Sequence, residues 1–184
     1  MKKQIITIVA ALFSAFALHA QSEDIYGAGA MPIKDGKVFF SETVEQEQTA
    51  DMLYTAAKSA ITDMFVSAKD VIQMADKESH TIIAKGINKI ATVKIDFTIK
   101  IQTKEGRYRI SMYDIKYTAT SPNLPPSVIF AEELTDEKCL NGKGECKRAG
   151  NGYARRSIID TKNSIFRSLE SKMASVKADT EEDW

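Results

Sequence analysis

Residues 93–102 alternate without a break, and this constrains the fold more than any other stretch. Val93, Ile95, Phe97, Ile99 and Ile101 are apolar, while Lys94, Asp96, Thr98, Lys100 and Gln102 between them are polar. A period of two puts one set on a buried face and the other in water, as in an antiparallel sheet covered on one side. Lys104-Glu105-Gly106 supplies a hairpin turn, and Arg107 to Tyr117 runs back. On that return strand Tyr108, Ile110 and Met112 share one parity and Tyr113, Ile115 and Tyr117 the other. The phase switch at Met112-Tyr113 predicts a β-bulge, or a strand covered in part on both faces.

The rest of the chain supplies companions for this hairpin. Val38-Phe39-Phe40 reads as a short strand opened by Asp35-Gly36. Met52, Leu53, Ala56, Ala57, Ile61, Met64 and Phe65 recur at three- and four-residue spacing. They predict a helix capped by Thr49 or Asp51 and ending near Ala68. Val71 to Met74 and His80 to Lys85 read as strands joined by a turn at Asp76 to Ser79, with Gly86 and Asn88 breaking the second. Pro122, Pro125 and Pro126 end the sheet region, and Val128 to Leu134 is a short helix or a strand. Tyr153 to about Lys177 is a second long helix, with Ile158, Ile165, Leu169, Met173 and Val176 as its stripe. The fold class is therefore α+β in the order β-α-β-β-β-β-α, an antiparallel sheet with both helices packed on one face. Val93, Ile95, Phe97, Ile99 and Ile101 are expected to pack on Met52, Ile61, Met64, Phe65, Ile165 and Leu169.

Lys2 and Lys3 precede an apolar run from Ile5 to Leu18, and polar sequence resumes at His19-Ala20-Gln21. This is the layout of a secretory signal peptide at 1–20, and the run is shorter than the roughly 20 residues that span a bilayer. The expected organisation continues with a mobile leader at 21–36, one α+β domain at 37–177 and an acidic tail at 178–184. The mature chain, with no transmembrane segment, is expected in the periplasm or secreted. In such a compartment Cys139 and Cys146, flanking a Gly-rich loop, are expected to form a disulfide worth about 2–3 kcal/mol in the chain-entropy model. The formal net charge is +0, which gives no general attraction to nucleic acid or anionic membrane.

No constellation of residues points to catalysis. His80 is the one histidine after the leader and has no Ser-His-Asp spacing around it. No zinc or calcium pattern exists, and no cofactor is expected. Glu132, Glu133, Asp136 and Glu137 form an acidic cluster that reads as a solvated helix face, with glycosidase-type carboxylates as the sharper reading. Lys143, Lys147, Arg148, Arg155 and Arg156 form a basic run, read as solvated or paired with that cluster.

Met31-Pro32-Ile33-Lys34-Asp35-Gly36-Lys37-Val38-Phe39-Phe40, the Tyr54 helix, the strand end Ile83 to Gly86 and the hairpin Lys104 to Arg109 resemble a known family. It is the domain of unknown function with a TATA-binding-protein-like (TBP-like) fold, found in exported proteins of Bacteroidetes. The resemblance covers about Pro32 to Tyr117 and implies the fold, with no catalytic residues to carry over. The sheet face left in water would present Lys94, Asp96, Thr98, Lys100, Gln102, Arg107, Arg109 and Ser111. It lacks the intercalating aromatics of a DNA saddle. The expected function is a noncatalytic exported binding domain acting on an envelope protein or glycan, with Lys94, Lys100, Arg107 and Arg109 as candidate contacts. The alternatives are an envelope-polymer hydrolase using Glu132 or Glu133 and a self-associating structural component.

Overall fold

A computed structural model describes residues 25–65 and 71–179. The expected signal peptide, Ala68 and the last five residues of the tail lie outside them. A small hairpin of β1 (Ile33–Lys34) and β2 (Lys37–Val38) is followed by β3 (Phe40–Glu45) and α1 (Ala50–Met64). Then come β4 (Ile72–Asp76), β5 (Thr81–Ile90), β6 (Val93–Lys104), β7 (Arg107–Ser121) and β8 (Leu124–Phe130). A 3-10 turn at Ala131–Glu133, the one-turn α2 (Asp136–Cys139) and the long α3 (Asn151–Asp179) complete the chain. The sheet is antiparallel in the order β3-β7-β6-β5-β4. β3 pairs β7 from Arg107 to Met112 and β8 pairs it from Lys116 to Ser121, so the two share one edge of β7. α1 lies over β5 and β6, α3 lies over β7, and the two helices meet.

The alternation of β6 sorts as its pattern dictates. Ile95, Phe97, Ile99 and Ile101 are almost wholly buried and face the helices with Ile82, Tyr108, Ile110 and Met112. The phase switch on β7 is a bulge. Asp96 pairs Lys116 and Thr98 pairs Tyr113, so β7 carries one extra residue there. Asp114 takes it up at φ 51°, a left-handed conformation that Asp tolerates better than most residues. Beyond it the buried set moves to Ile115 and Tyr117, which keeps the apolar side of a 15-residue strand on the core.

Several elements depart from the pattern reading. β5 runs through Gly86 and Asn88 to Ile90. Gly86 stands opposite Phe97, and a Cβ there would lie 2.3 Å from Phe97 Cε2, so the missing side chain makes room for the ring. Asn88 Nδ2 donates to Thr161 Oγ1 at 2.9 Å and ties the strand to α3. Pro125 and Pro126 do not end the sheet; they lie in β8, which pairs only β7 among the described residues, at the register shift between Ala119 and Ser121 where the ladder is interrupted. α1 stops at Met64, where Phe65 is extended, and Thr49 rather than Asp51 is its cap, accepting from Met52 N at 3.3 Å. Met52 is exposed; the buried stripe is Leu53, Tyr54, Ala56, Ala57, Ala60 and Ile61, rotated by about one position toward its alanines.

Within the segment 21–36, expected as a mobile leader, Tyr26 and Gly27 contact α3 and Ile33–Lys34 form the small hairpin with β2. Tyr26 Oη donates to Asp160 Oδ1 at 2.7 Å, and Arg155 donates to the carbonyls of Tyr26 and Gly27. Met31 is buried in the core. The expected Cys139–Cys146 disulfide is not formed, although both cysteines are buried. Leu140 rather than Cys139 stands opposite Cys146, and the two thiols donate to successive carbonyls at the start of α3. Cys139 Sγ reaches Asn151 O and Cys146 Sγ reaches Gly152 O, each at 3.5 Å. Burial pushes the Cys139 thiol pKa up, which disfavours the thiolate that disulfide exchange requires.

Candidate functional site

With α1 and α3 on the apolar face, the strand residues of opposite parity form the other face of the sheet. Its rows are fixed by register. Glu45, Arg107 and Lys104 form one row; Thr43, Arg109 and Gln102 the next; Ser41, Ser111 and Lys100 the third. Rows on one face lie about 7 Å apart along the strands. The first two rows enclose a depression of about 180 Å³ at the β6–β7 hairpin end, lined by Thr43, Gln102, Lys104, Arg107, Tyr108 and Arg109.

The charge at this end is mostly positive, with Glu45 the one carboxylate in its rows. Lys104 and Arg107 stand directly across from each other, a like-charge pair that costs a few tenths of a kcal/mol, on the order of 0.2–1. Among the described residues no carboxylate forms an ion pair with Lys100, Lys104, Arg107 or Arg109. Glu105, between Lys104 and Arg107 in sequence, is turned away to accept from Ala50 N at 3.2 Å and so helps close the first turn of α1. Arg109 Nε donates to Thr43 Oγ1 at 3.3 Å, which orients its guanidinium.

The four candidate contacts are thus divided. Lys100, Arg107 and Arg109 share the hairpin end. Lys94 lies six residues along β6 from Lys100, roughly 20 Å away, and its ammonium is held by Asp96 at 3.1 Å. Asp96 is shared with Lys116 at 3.5 Å, so the two ammoniums there divide one carboxylate. The middle is less wet than the alternation suggests. Thr98 and Ser111 are buried beneath longer neighbours, and Tyr113 stacks on Phe39 with ring centroids 5.7 Å apart. Lys104 and Thr43 escaped the sequence reading because one was assigned to a turn and the other to no element. The two-residue period of β6 continued through Lys104 would have found the first.

The remaining candidates are committed to the fold. Glu132 Oε1 accepts from Val38 N at 3.2 Å, and Glu133 Oε1 accepts from Phe130 N at 2.9 Å, so neither has the free geometry of a glycosidase carboxylate. His80 Nε2 lies 2.8 Å from Asp51 Oδ1 and its ring meets Tyr54 edge-on. The hydrogen bond from His80, with help from Lys77, holds the Asp51 carboxyl pKa below its ordinary value. The pair latches the β4–β5 turn to the start of α1. The basic run is dispersed. Arg155 is wholly buried and paired with Asp136 at 2.8 Å, Arg156 stacks on Tyr26 with its guanidinium carbon 4.3 Å from the ring centre, and Lys147 donates to Lys138 O at 3.0 Å. Among the described residues no group of three His, Cys, Asp or Glu side chains is placed to hold a metal ion.

Residues 40–118 match the family model described as a domain of unknown function with a TBP-like fold. Two solved structures share the architecture. One, from Bacteroides ovatus and described as belonging to that family, aligns at 21% identity over 81% of this chain and 93% of its own, with a TM-score of 0.66. The other, a TBP-like protein from Parabacteroides distasonis, aligns at 17% identity over 76% of this chain and 97% of its own, with a TM-score of 0.54. At these identities the likeness is one of fold. No curated protein matches the sequence.

Proposed function

We propose that the chain, whose residues 40–118 match the model of a domain of unknown function with a TBP-like fold, is an exported, noncatalytic interaction domain. Its working surface is the sheet face opposite the helices, and the cations at the hairpin end are its contacts to an envelope protein or glycan. The single observation that carries this reading is the group of four cations, Lys100, Lys104, Arg107 and Arg109, left without carboxylate partners among the described residues on a face no helix covers. Export is supported by the Lys2-Lys3 start and the apolar run from Ile5 to Leu18. Among the described residues no helix is long and apolar enough to cross a membrane.

Crosslinking in the native cell, followed by comparison of wild type with the Lys100→Glu plus Arg109→Glu variant, tests the reading. A partner captured by wild type and lost in the variant is expected. Identical capture by both removes this face from consideration. Self-association has one observation in its favour: β8 is an edge strand carrying exposed Leu124, Val128 and Phe130. Light scattering of the purified chain separates a monomeric binder from that alternative.

A further inference from the structure

The depression at the hairpin end has the chemistry of an oxyanion site, and the geometry points to a single phosphate-type group carried on a sugar-sized molecule as its ligand. This rests on reading the sheet face as the working surface and adds the ligand class.

Three features converge. Arg107 and Arg109 lie on the same face of β7, two residues apart, and offer two planar forks about 7 Å apart along the strand. Lys104 stands across from Arg107 and Gln102 across from Arg109, so the floor between β6 and β7 presents two forks, one ammonium and one amide to the same small volume. The cavity, about 180 Å³, has room for one tetrahedral anion with a small polar group attached.

The surroundings favour the anion over structural pairing. Glu105 is spent on Ala50 N across the turn, and Glu45, opposite Arg107, forms no ion pair with it. Thr43 Oγ1 already occupies Arg109 Nε, so the outer edge of that fork keeps its terminal N–H groups for an incoming oxygen. Farther along the face Lys94 and Lys116 share Asp96, while Lys85 and Lys89 stand on β5 away from the depression. An anion at the hairpin end offsets the Lys104–Arg107 repulsion that the apo sheet otherwise carries.

Titration calorimetry of the purified protein with glucose 1-phosphate, inorganic phosphate and glucose tests the assignment at low and physiological ionic strength. Glucose 1-phosphate is expected to bind saturably, inorganic phosphate more weakly, and glucose not at all, with affinity falling as the screening length shortens from about 30 Å to about 8 Å. Arg107→Gln and Arg109→Gln are each expected to weaken binding about tenfold or more, and Arg107→Lys to fall between. Lys94→Gln, at the far end of β6 and paired with Asp96, is expected to leave it unchanged. Thermal melts and amide spectra identify any variant that has lost its fold, and Lys104→Gln then serves in its place. Failure of both phosphates to bind overturns the assignment, as does equal weakening by Lys94→Gln, which would mark a general charge effect. If the phosphates fail while the Lys100→Glu plus Arg109→Glu variant still loses its cellular partner, the working face stands and only the ligand class falls.

Discussion

The Arg155 guanidinium, wholly buried on α3, meets the half-exposed carboxylate of Asp136 at 2.8 Å. The same guanidinium donates to the carbonyls of Tyr26, Gly27 and Leu134. A charge brought out of water is tolerated only when its donors are met, and here one side chain joins the N-terminal segment, the α2 region and the last helix. Replacing it with Met is expected to cost about 3 kcal/mol, because two buried acceptors and one part-buried acceptor lose their donor together. Urea unfolding measures this. Arg155→Lys recovers only part, since one ammonium cannot reach every acceptor that the planar fork spans. Asp136→Asn, at a half-exposed site, is expected to cost about 1 kcal/mol or less.

Gly86 and Gly152 each occupy a place where a methyl group does not fit. At Gly86 the obstacle is the Phe97 ring, the far end of a side chain fixed in the core. Gly86→Ala is expected to cost about 1–3 kcal/mol, with part of the loss recovered in combination with Phe97→Leu. At Gly152 a Cβ would lie 2.2 Å from the Lys147 carbonyl oxygen, which is backbone and cannot swing aside. Gly152→Ala is therefore expected to destabilise more than Gly86→Ala and to loosen the Cys139–Cys146 loop. Hydrogen exchange of the Lys147 and Leu140 amides reads the second effect.

Tyr108 makes stability depend on alkaline pH. Burial, with the Glu170 carboxylate nearby, pushes its phenol from 10.0 up to about 12. The folded state then holds the proton more tightly than the unfolded chain does. The resulting stabilisation is complete below about pH 10 and is lost as pH rises through about 12. Denaturant midpoints measured between these values are expected to fall for wild type and to fall less for Tyr108→Phe.

The bulge at Asp114 is open to a fourth test. Asp114 sits at φ 51° and its carboxylate is hydrogen-bonded to Lys37. Asp114→Val places a β-branched residue in a left-handed conformation and is expected to cost about 1–3 kcal/mol. Asp114→Gly relieves the backbone and loses only an exposed ion pair, so its change is expected to stay within about 1 kcal/mol. Thermal unfolding of the two variants side by side separates backbone strain from charge.

Much of this architecture was legible because it rests on periodicity. The β6 alternation, the parity change that became the Asp114 bulge, and the two helical stripes all follow from which residues must leave water. What escaped depends on partners distant in sequence. Gly86 and Asn88 read locally as strand breakers, whereas opposite Phe97 and beneath Thr161 they are fitted to their neighbours. Arg155 read as solvated or paired with the acidic cluster, and it does pair Asp136, but nothing nearby in sequence indicates that Tyr26 and Gly27 return to cover it. The candidate site was half visible. Residue type picked out Lys100, Arg107 and Arg109; the β6 period carried on to Lys104 would have added a fourth, and strand register with the Asp96 pairing separates them from Lys94.

The two short strands that divide one flank of β7 between them have a mechanical corollary. Main-chain amides on either side of the Asp114 kink answer to different neighbours, one contributed early in the chain and one late. The hydrogen bonds along that margin therefore fall into two separate sets. Loosening the early strand would bare the rim beside Arg107 and Arg109 while the later strand keeps the far half closed.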